Sequence, residues 1–425
     1  MAENLENLTH ILANKGPIIL LESQSNEHPW SRTTYLAAQP KVEIKAYGNQ
    51  IKIVKEGEEY SFEDNPWNAL QDFRRKYNNE WLLGYLGYDL KNYLEDLSSK
   101  NEDPLGLPDL YFMVPEYLLK KEKGDGRFEM VGGEGAPRVN PDTFSSLDKQ
   151  QYLIEDFGPR VAKVDYIKQI KEAQRRIIEG DFYEINLSHQ LKGAFRGDPQ
   201  QLYSKMKKAG RVPFGAYLEV DDWSACCQSP ERFLRREGKT IFSQPIKGTA
   251  KRGRTQQEDE DLKEALYHSS KERAENLMIV DLVRNDLSHI AKKGSVKVEQ
   301  LFNIESFETV HQMVSTVMAK VAEGEDAIEI LKACFPMGSM TGAPKISAMK
   351  TIEELETYKR GLYSGAIGYI KPNGDFDFNV VIRTAIIKNE TLYYAVGGAI
   401  TGDSDPEAEW EETLVKARAL INAME

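Results

Sequence analysis

Two strand-like runs, residues 379–388 and 391–396, are joined by only Asn389 and Glu390. A parallel crossover needs about a dozen residues or more, so these runs can pair only as an antiparallel hairpin. The rest of the second half supplies matching parts: helical periodicity over 256–289, Ala327–Cys334, 346–356 and 405–424, and strand-like runs at 308–319 and 365–371. Helices interleaved with hairpin-joined strands predict an α+β fold rather than a doubly wound parallel sheet.

The first 130 residues read as mixed α and β. Residues 17–21 form a short apolar run, 41–54 alternate apolar and polar side chains, and 67–77 have helical spacing, with further strands at 81–88 and 110–119. Residues 121–150 are rich in Gly, Pro and charge. They predict a hairpin tip and then a linker, dividing an N-terminal α+β subdomain, 1–150, from a larger unit, 160–425. That unit opens with Tyr166, Ile170, Ala173, Ile177 and Ile178 on one helical face, stopped by Gly180. Strands at 181–191, 215–220 and 233–236 follow.

Composition narrows the function classes. The 425 residues carry 67 acidic and 55 basic side chains, a net charge of −12, which disfavours nucleic acid or an anionic membrane as the main partner. No apolar run approaches the roughly 20 residues of a membrane span, and the opening MAENLENLTH lacks the apolar core of a secretory signal. Cys226, Cys227 and Cys334 suit neither a disulfide framework nor a metal site, so a reducing cytoplasm is expected.

The chemistry-bearing residues begin with Lys247 in SQPIKGTAKR. The preceding Thr240-Ile241-Phe242-Ser243 has strand composition, Pro245 removes a ladder donor and Gly248 permits unusual backbone angles. The strand is expected to end there with Lys247 at its tip, either as a solvated turn lysine or, where its pKa is lowered, as a nucleophile. Glu272 and Glu275 share a helix face, as do Glu409 and Glu412. Such pairs are either solvated acidic faces or oxygen ligands for a hard ion such as Mg²⁺.

PMGSMTGAPK, 336–345, lacks the GK[ST] order of a phosphate loop and is read as a Gly-rich turn into a helix, whose free amides could hold a carboxylate. Arg383 lies in the apolar stretch Val380-Val381-Ile382-Arg383-Thr384 and needs an anion, from the protein or from a substrate. Gly397 and Gly398 are read as ending the next strand beside that anion. His311, in a period-two run, is a core histidine or a site group, and Glu231 is a proton-transfer group or a turn carboxylate.

Together these stretches resemble the chorismate-utilising enzymes. SPERF, PIKGTAKR, AENLMIVDLVRND, ETVHQMVS, PMGSMTGAPK, GLYSGAIGY, VVIRTA and EAEWEET carry the resemblance across 160–425, with LLES, GYLGYDL and PDLYF as looser matches before it. The resemblance implies two antiparallel β-sheets packed face to face with helices outside. Lysine at 247, where anthranilate synthases carry alanine, marks the aminodeoxychorismate branch.

By that resemblance Lys247 attacks C2 of chorismate as the C4 hydroxyl leaves, and ammonia then adds at C4, giving 4-amino-4-deoxychorismate for 4-aminobenzoate and folate synthesis. Glu231 matches the general acid/base and His311 a site histidine. Glu275 and Glu412 match Mg²⁺ ligands with Glu272 and Glu409 as helpers, while Gly248, Thr341, Tyr363, Arg383, Gly397 and Gly398 match substrate-binding positions. Ser23, in LLES, matches part of a tryptophan pocket. Glu184 stands where anthranilate-type enzymes have glutamine and isochorismate synthases a water-activating lysine, which argues against hydration. No cysteine sits in a glutaminase-like context, so ammonia is expected from a separate glutamine amidotransferase subunit. The competing reading is an anthranilate synthase component I, aminating C2 with loss of pyruvate.

Overall fold

The computed structural model describes residues 2–24, 32–124, 128–132, 151–308 and 310–424. Every strand ladder within them is antiparallel. One wing runs Leu153–Pro159, Glu184–Arg196, Thr391–Ile400, Thr384–Lys388, Trp223–Ser229, Phe214–Val220 and Ile18–Glu22. The last of these also pairs with Thr33–Tyr47, the start of a second wing through Leu110–Glu122, Leu82–Leu86, Ala366–Ile370, Phe376–Asn379, Arg232–Glu237, Thr240–Gln244 and Val310–Lys320. Strands from the first 150 residues thus hydrogen-bond directly to strands of the remainder.

The wings fold onto each other. Tyr35, Leu83, Tyr85, Tyr111 and Met113 of one share a core with Leu218, Trp223, Ala225 and Ile386 of the other. Each such large apolar side chain taken from water contributes about 1.5–3 kcal/mol. Helices Pro66–Lys76, Ser270–Ser288 and Ala327–Cys334 cover the second wing's outer face. Helices Ala2–Ala13, Lys163–Glu179, Pro199–Ala209 and Pro406–Lys416 cover the first. The expected α+β arrangement of face-to-face antiparallel sheets with outer helices is therefore the observed one.

Several boundaries differ from the sequence reading. The run 256–289 is two helices, Gln256–His268 and Ser270–Ser288, because the Ser269 hydroxyl caps the second by accepting the Glu272 amide at 3.3 Å. Residues 405–424 likewise divide into Pro406–Lys416 and Arg418–Met424. The run 41–54 is two strands, Thr33–Tyr47 and Gln50–Lys55. Trp223–Ser229 escapes a period-two reading because all seven of its residues are buried. Of the 121–150 segment, Leu110–Glu122 and Glu129–Gly132 form the hairpin, while 125–127 and the linker at 133–150 lie outside the described residues.

The strand before Lys247 does not stop. After Pro245 it resumes as Ile246–Lys251 on the same partner, Val310–Lys320, with a register slip between Ile246 and Thr249. The expected continuous strand 379–388 is interrupted instead: Phe376–Asn379 ends, Thr384–Lys388 begins, and between them Arg383 adopts φ +50°.

Candidate functional site

The register slip at 246–249 lifts Lys247 and Gly248 out of an ordinary ladder. Gly248 has φ +89°, and a Cβ there would come 2.9 Å from Glu272 Oε2, so glycine lets helix Ser270–Ser288 lie against this strand. Lys247 Nζ donates to Glu184 Oε1 at 2.6 Å, with side-chain exposures of 10% and 1%. Burial pushes the lysine's pKa down, but the Glu184 charge and hydrogen bond outweigh it, with smaller help from Glu275 and Glu231. The net shift is upward, so the resting side chain is an ammonium, contrary to the lowered value a free nucleophile requires.

Glu184 opens strand Glu184–Arg196 and is pinned by the Gly-rich turn. Gly342 pairs with Ile185, and a Cβ on Gly342 would lie 2.1 Å from the Glu184 carbonyl. The same turn supplies Ser339, whose hydroxyl bonds the carboxyl of Glu231. Glu231 follows strand Trp223–Ser229, its amide donating to Ser229 Oγ at 3.2 Å. Burial pushes its carboxyl up to about 7, opposed by Ser339, the Lys247 charge, the Ile246 amide and Arg383.

Arg383 sits at the break in its strand, largely buried, and burial pushes its pKa down, while Tyr394 and Glu231 act against that. These act through charge alone: no hydrogen bond or ion pair holds its guanidinium among the described residues. Opposite it, the Gln228 amide donates to the Arg383 carbonyl at 3.1 Å. Gln228 is 1% exposed, and neither polar atom of its side chain has a partner among the described residues. A left-handed non-glycine residue costs about 1–2 kcal/mol, and such strain gathers where function uses it.

The two acidic pairs come from facing helices. Burial pushes Glu275 up to about 7, with Lys247 opposing and Glu184 and Glu272 adding to it. Burial also raises Glu409, which accepts from Ser404 Oγ at 2.8 Å. Burial acts the same way on Glu412, but Lys416 at 2.8 Å, then Lys271 and Lys247, outweigh it and hold the carboxyl low. Lys247 thus feels carboxylates on both helices. Among the described residues no three potential ligands converge at metal-binding distance, and Lys271 and Lys416 neutralise the intervening charge.

The other sequence candidates are engaged elsewhere or structurally. Gly397 lies inside strand Thr391–Ile400 rather than ending it, and a Cβ would meet the Leu187 carbonyl at 2.6 Å. A Cβ on Gly398 would lie 3.2 Å from Glu409 Oε2, so this glycine admits the acidic helix. The Thr341 hydroxyl faces the Met337 and Gly338 carbonyls at 3.2 Å each. Tyr363 is buried, with Ser188 and Ser364 as hydroxyl partners. His311 uses Nδ1 on Ser306 Oγ at 2.8 Å and Nε2 on Asp259 Oδ1 at 3.0 Å, tying its strand to helix Gln256–His268. Ser23 belongs to a different cluster, next to Gln24, whose amide donates to Tyr203 at 2.9 Å.

Beneath the site a buried network braces three elements. Arg360 donates to Glu356 at 2.6 and 2.9 Å, to the Asn186 carbonyl at 2.8 Å and to the Met340 carbonyl at 2.6 Å. Glu356 in turn accepts from the Ser188 amide and hydroxyl at 2.8 and 2.7 Å. Strand, turn and helix are thereby fixed relative to Glu184 and Ser339. Gln228 and Ser339 were missed from sequence, although they lie three residues before Glu231 and two before Thr341.

In chemical terms the site offers an ammonium that must lose a proton before it can attack, a carboxyl lifted to about 7, a guanidinium without a hydrogen-bond partner among the described residues, and carboxylates on two helices. The profile of the chorismate binding enzyme family matches residues 16–422. Anthranilate synthase component 1 of Aquifex aeolicus is 34% identical, covering 97% of this chain and 90% of that protein. Aminodeoxychorismate synthase component 1 of Escherichia coli is 33% identical, covering 96% and 93%. The crystal structure of anthranilate synthase component I from Streptococcus pneumoniae matches with a TM-score of 0.81 at 28% identity, covering 93% of both chains.

Proposed function

This chain belongs to the chorismate binding enzyme family, and from that premise we propose that it aminates chorismate at C4, giving 4-amino-4-deoxychorismate through a covalent adduct on Lys247. Relatives with C4 and C2 names stand at similar identity, 33% and 34%, so overall likeness does not choose between them. The observation that carries the choice is a buried lysine amine, hydrogen-bonded to Glu184 and under the charge of Glu231.

In this reading Arg383 and Gln228 hold a substrate carboxylate, the guanidinium supplying charge and the amide a neutral donor. Glu275 and Glu412 hold Mg²⁺, assisted by Glu272 and Glu409. All four are oxygen donors of the kind Mg²⁺ takes; they would have to draw together and displace Lys271 and Lys416, and a cation there would offset the burial that raises Glu275. The metal's contribution is to fix and polarise the ring carboxylate. The Lys247 amine attacks C2 while Glu231, protonated at and below about 7, gives its proton to the departing C4 hydroxyl. Ammonia then adds at C4, passes a proton to the Glu231 carboxylate, and the lysine leaves.

Ammonia comes, on this account, from a separate glutamine amidotransferase. The component 1 naming of the relatives agrees with a second subunit. The three cysteines here are buried, and burial pushes Cys227 up to about 11, so they make poor thiolate nucleophiles. The product would supply 4-aminobenzoate and folate synthesis through another enzyme, in the cytoplasm. The second reading is anthranilate synthesis, favoured by the Aquifex relative and opposed by Lys247. Incubation with chorismate, Mg²⁺ and an ammonium salt, with products separated and weighed, tests both: 4-amino-4-deoxychorismate with its pyruvyl group intact supports the first, whereas anthranilate and pyruvate replace it with the second.

A further inference from the structure

Lys247 is the nucleophile in the proposed reaction, yet it rests as an ammonium in a place with little access to water. Its proton must go somewhere before a C–N bond can form. The acceptor in hydrogen-bond contact among the described residues is Glu184 Oε1, 2.6 Å from Nζ. The other oxygen, Oε2, is buried with no hydrogen-bond partner among the described residues. The lysine is the hydrogen-bonded partner of this carboxylate, and substrate bound against the pair would remove what water remains. A neutral amine beside a neutral acid is then the easier state to reach.

We infer that Glu184 is a catalytic proton store for Lys247, taking the ammonium proton before attack and returning it when the lysine departs. This rests on the C4 amination reading. The atoms balance. Nζ passes one proton to Glu184, and its lone pair then forms the bond to C2 as the C4–O bond breaks and the oxygen leaves as water with the Glu231 proton. The adduct nitrogen is a secondary ammonium, already a competent leaving group. When ammonia adds at C4 the C2–N bond breaks, the freed amine retakes its proton from Glu184, and the resting pair is restored.

The other groups facing the pair have different work. Glu231 serves the leaving hydroxyl. Glu275 faces Lys247 from helix Ser270–Ser288 and Glu412 from helix Pro406–Lys416, both in the acidic bank, and Arg383 lies beyond Glu231. The backbone is built to hold Glu184 in place, since Gly342 admits its carbonyl at a distance no other residue allows.

The test compares the wild-type chain, Glu184→Gln and Glu184→Asp in two measurements. Competitive acetylation of Lys247 with acetic anhydride, read by peptide mass across pH, reports when the amine becomes free. The midpoint should fall by at least about one pH unit in Glu184→Gln, because one unit corresponds to losing a modest electrostatic interaction. Amination at saturating ammonia should then acquire, in Glu184→Gln only, a tenfold loss per pH unit below that midpoint, since the proton must now leave to solvent. Glu184→Asp should keep the wild-type profile at reduced rate. An unshifted midpoint, or a loss of rate equal at all pH values, overturns the assignment, the latter marking a purely structural glutamate. If the midpoint shifts but the wild type makes no 4-amino-4-deoxychorismate, the C4 reading itself has failed, and the proton store fails with it.

Discussion

Gln228, in strand Trp223–Ser229, lies opposite Arg383 at the break between two strands, its amide donating to the Arg383 carbonyl at 3.1 Å, while among the described residues neither side chain has a hydrogen-bond partner. Buried donors left unmatched in this way are costly unless a ligand completes them. Arg383→Lys keeps the charge but loses the planar fork, and hydrogen bonds to charged groups contribute about 1.5–3 kcal/mol. The Michaelis constant for chorismate should rise about 10- to 100-fold, and Gln228→Leu should act in the same direction by a smaller factor. Steady-state kinetics at saturating ammonia check this; an unchanged constant in both variants removes the pair from substrate binding.

Glu231 should behave as an acid whose protonated form is the working one. Burial lifts its carboxyl to about 7, so the proton is present below that pH and is lost as pH rises through it. The rate of amination should therefore decline on the alkaline side of about 7 if no other step limits it. Glu231→Gln should lower kcat by about 10²- to 10⁴-fold and abolish that alkaline limb. A glutamine variant with the wild-type profile would reassign the limb to another group.

How much of this was legible in the sequence differs by feature. The hairpin spacing around Asn389 gave antiparallel sheet, and Gly180 marked the end of helix Lys163–Glu179, because both signals are local. The break at Ser269 also had a local signal, the spacing Ser269 to Glu272 of a capping box, and it went unread. The positive φ of Arg383 had none: Val380 to Thr384 reads as continuous strand. Lys247, Glu231 and the acidic pairs were legible as types through the resemblance, but their mutual placement was not. The upward shift of Lys247 depends on Glu184, sixty-three positions away in the chain, a distance over which spacing carries no information.

Cation binding should itself depend on pH. A carboxyl raised to about 7 by burial is half protonated at neutrality, and a Mg²⁺ ligand must be deprotonated, so affinity should strengthen as pH rises from 6 to 8. Titrating the metal dependence of turnover at several pH values measures this. Glu275→Gln should weaken binding and flatten the pH dependence, and an unaltered titration curve would exclude Glu275 as a ligand.

The Glu356–Arg360 pair offers a test of stability rather than chemistry. Both side chains are 1% exposed, and they tie strand Glu184–Arg196, through Ser188 and Asn186, to the Gly-rich turn, through Met340. Removing one member of a buried pair leaves the other charge uncompensated, at about 3–5 kcal/mol. Glu356→Ala should lower the urea midpoint accordingly, and a shift within error would show that Arg360 finds another anion.

Lys247→Ala addresses the covalent step and the buried pair together. Without the amine no mass increase should appear on peptides containing residue 247 after incubation with chorismate, and amination should fall by a factor on the order of 10² or more. The same change strands the Glu184 carboxylate, one oxygen of which already has no partner among the described residues. The single variant should therefore be less stable than the wild type, because a buried carboxylate left without the ammonium is uncompensated. Lys247→Ala combined with Glu184→Gln removes the charge and should recover part of the urea midpoint at neutral pH while remaining inactive. Recovery of stability without recovery of rate would separate the pair's two roles; an active Lys247→Ala would instead leave ammonia to attack chorismate directly and end the case for a covalent intermediate.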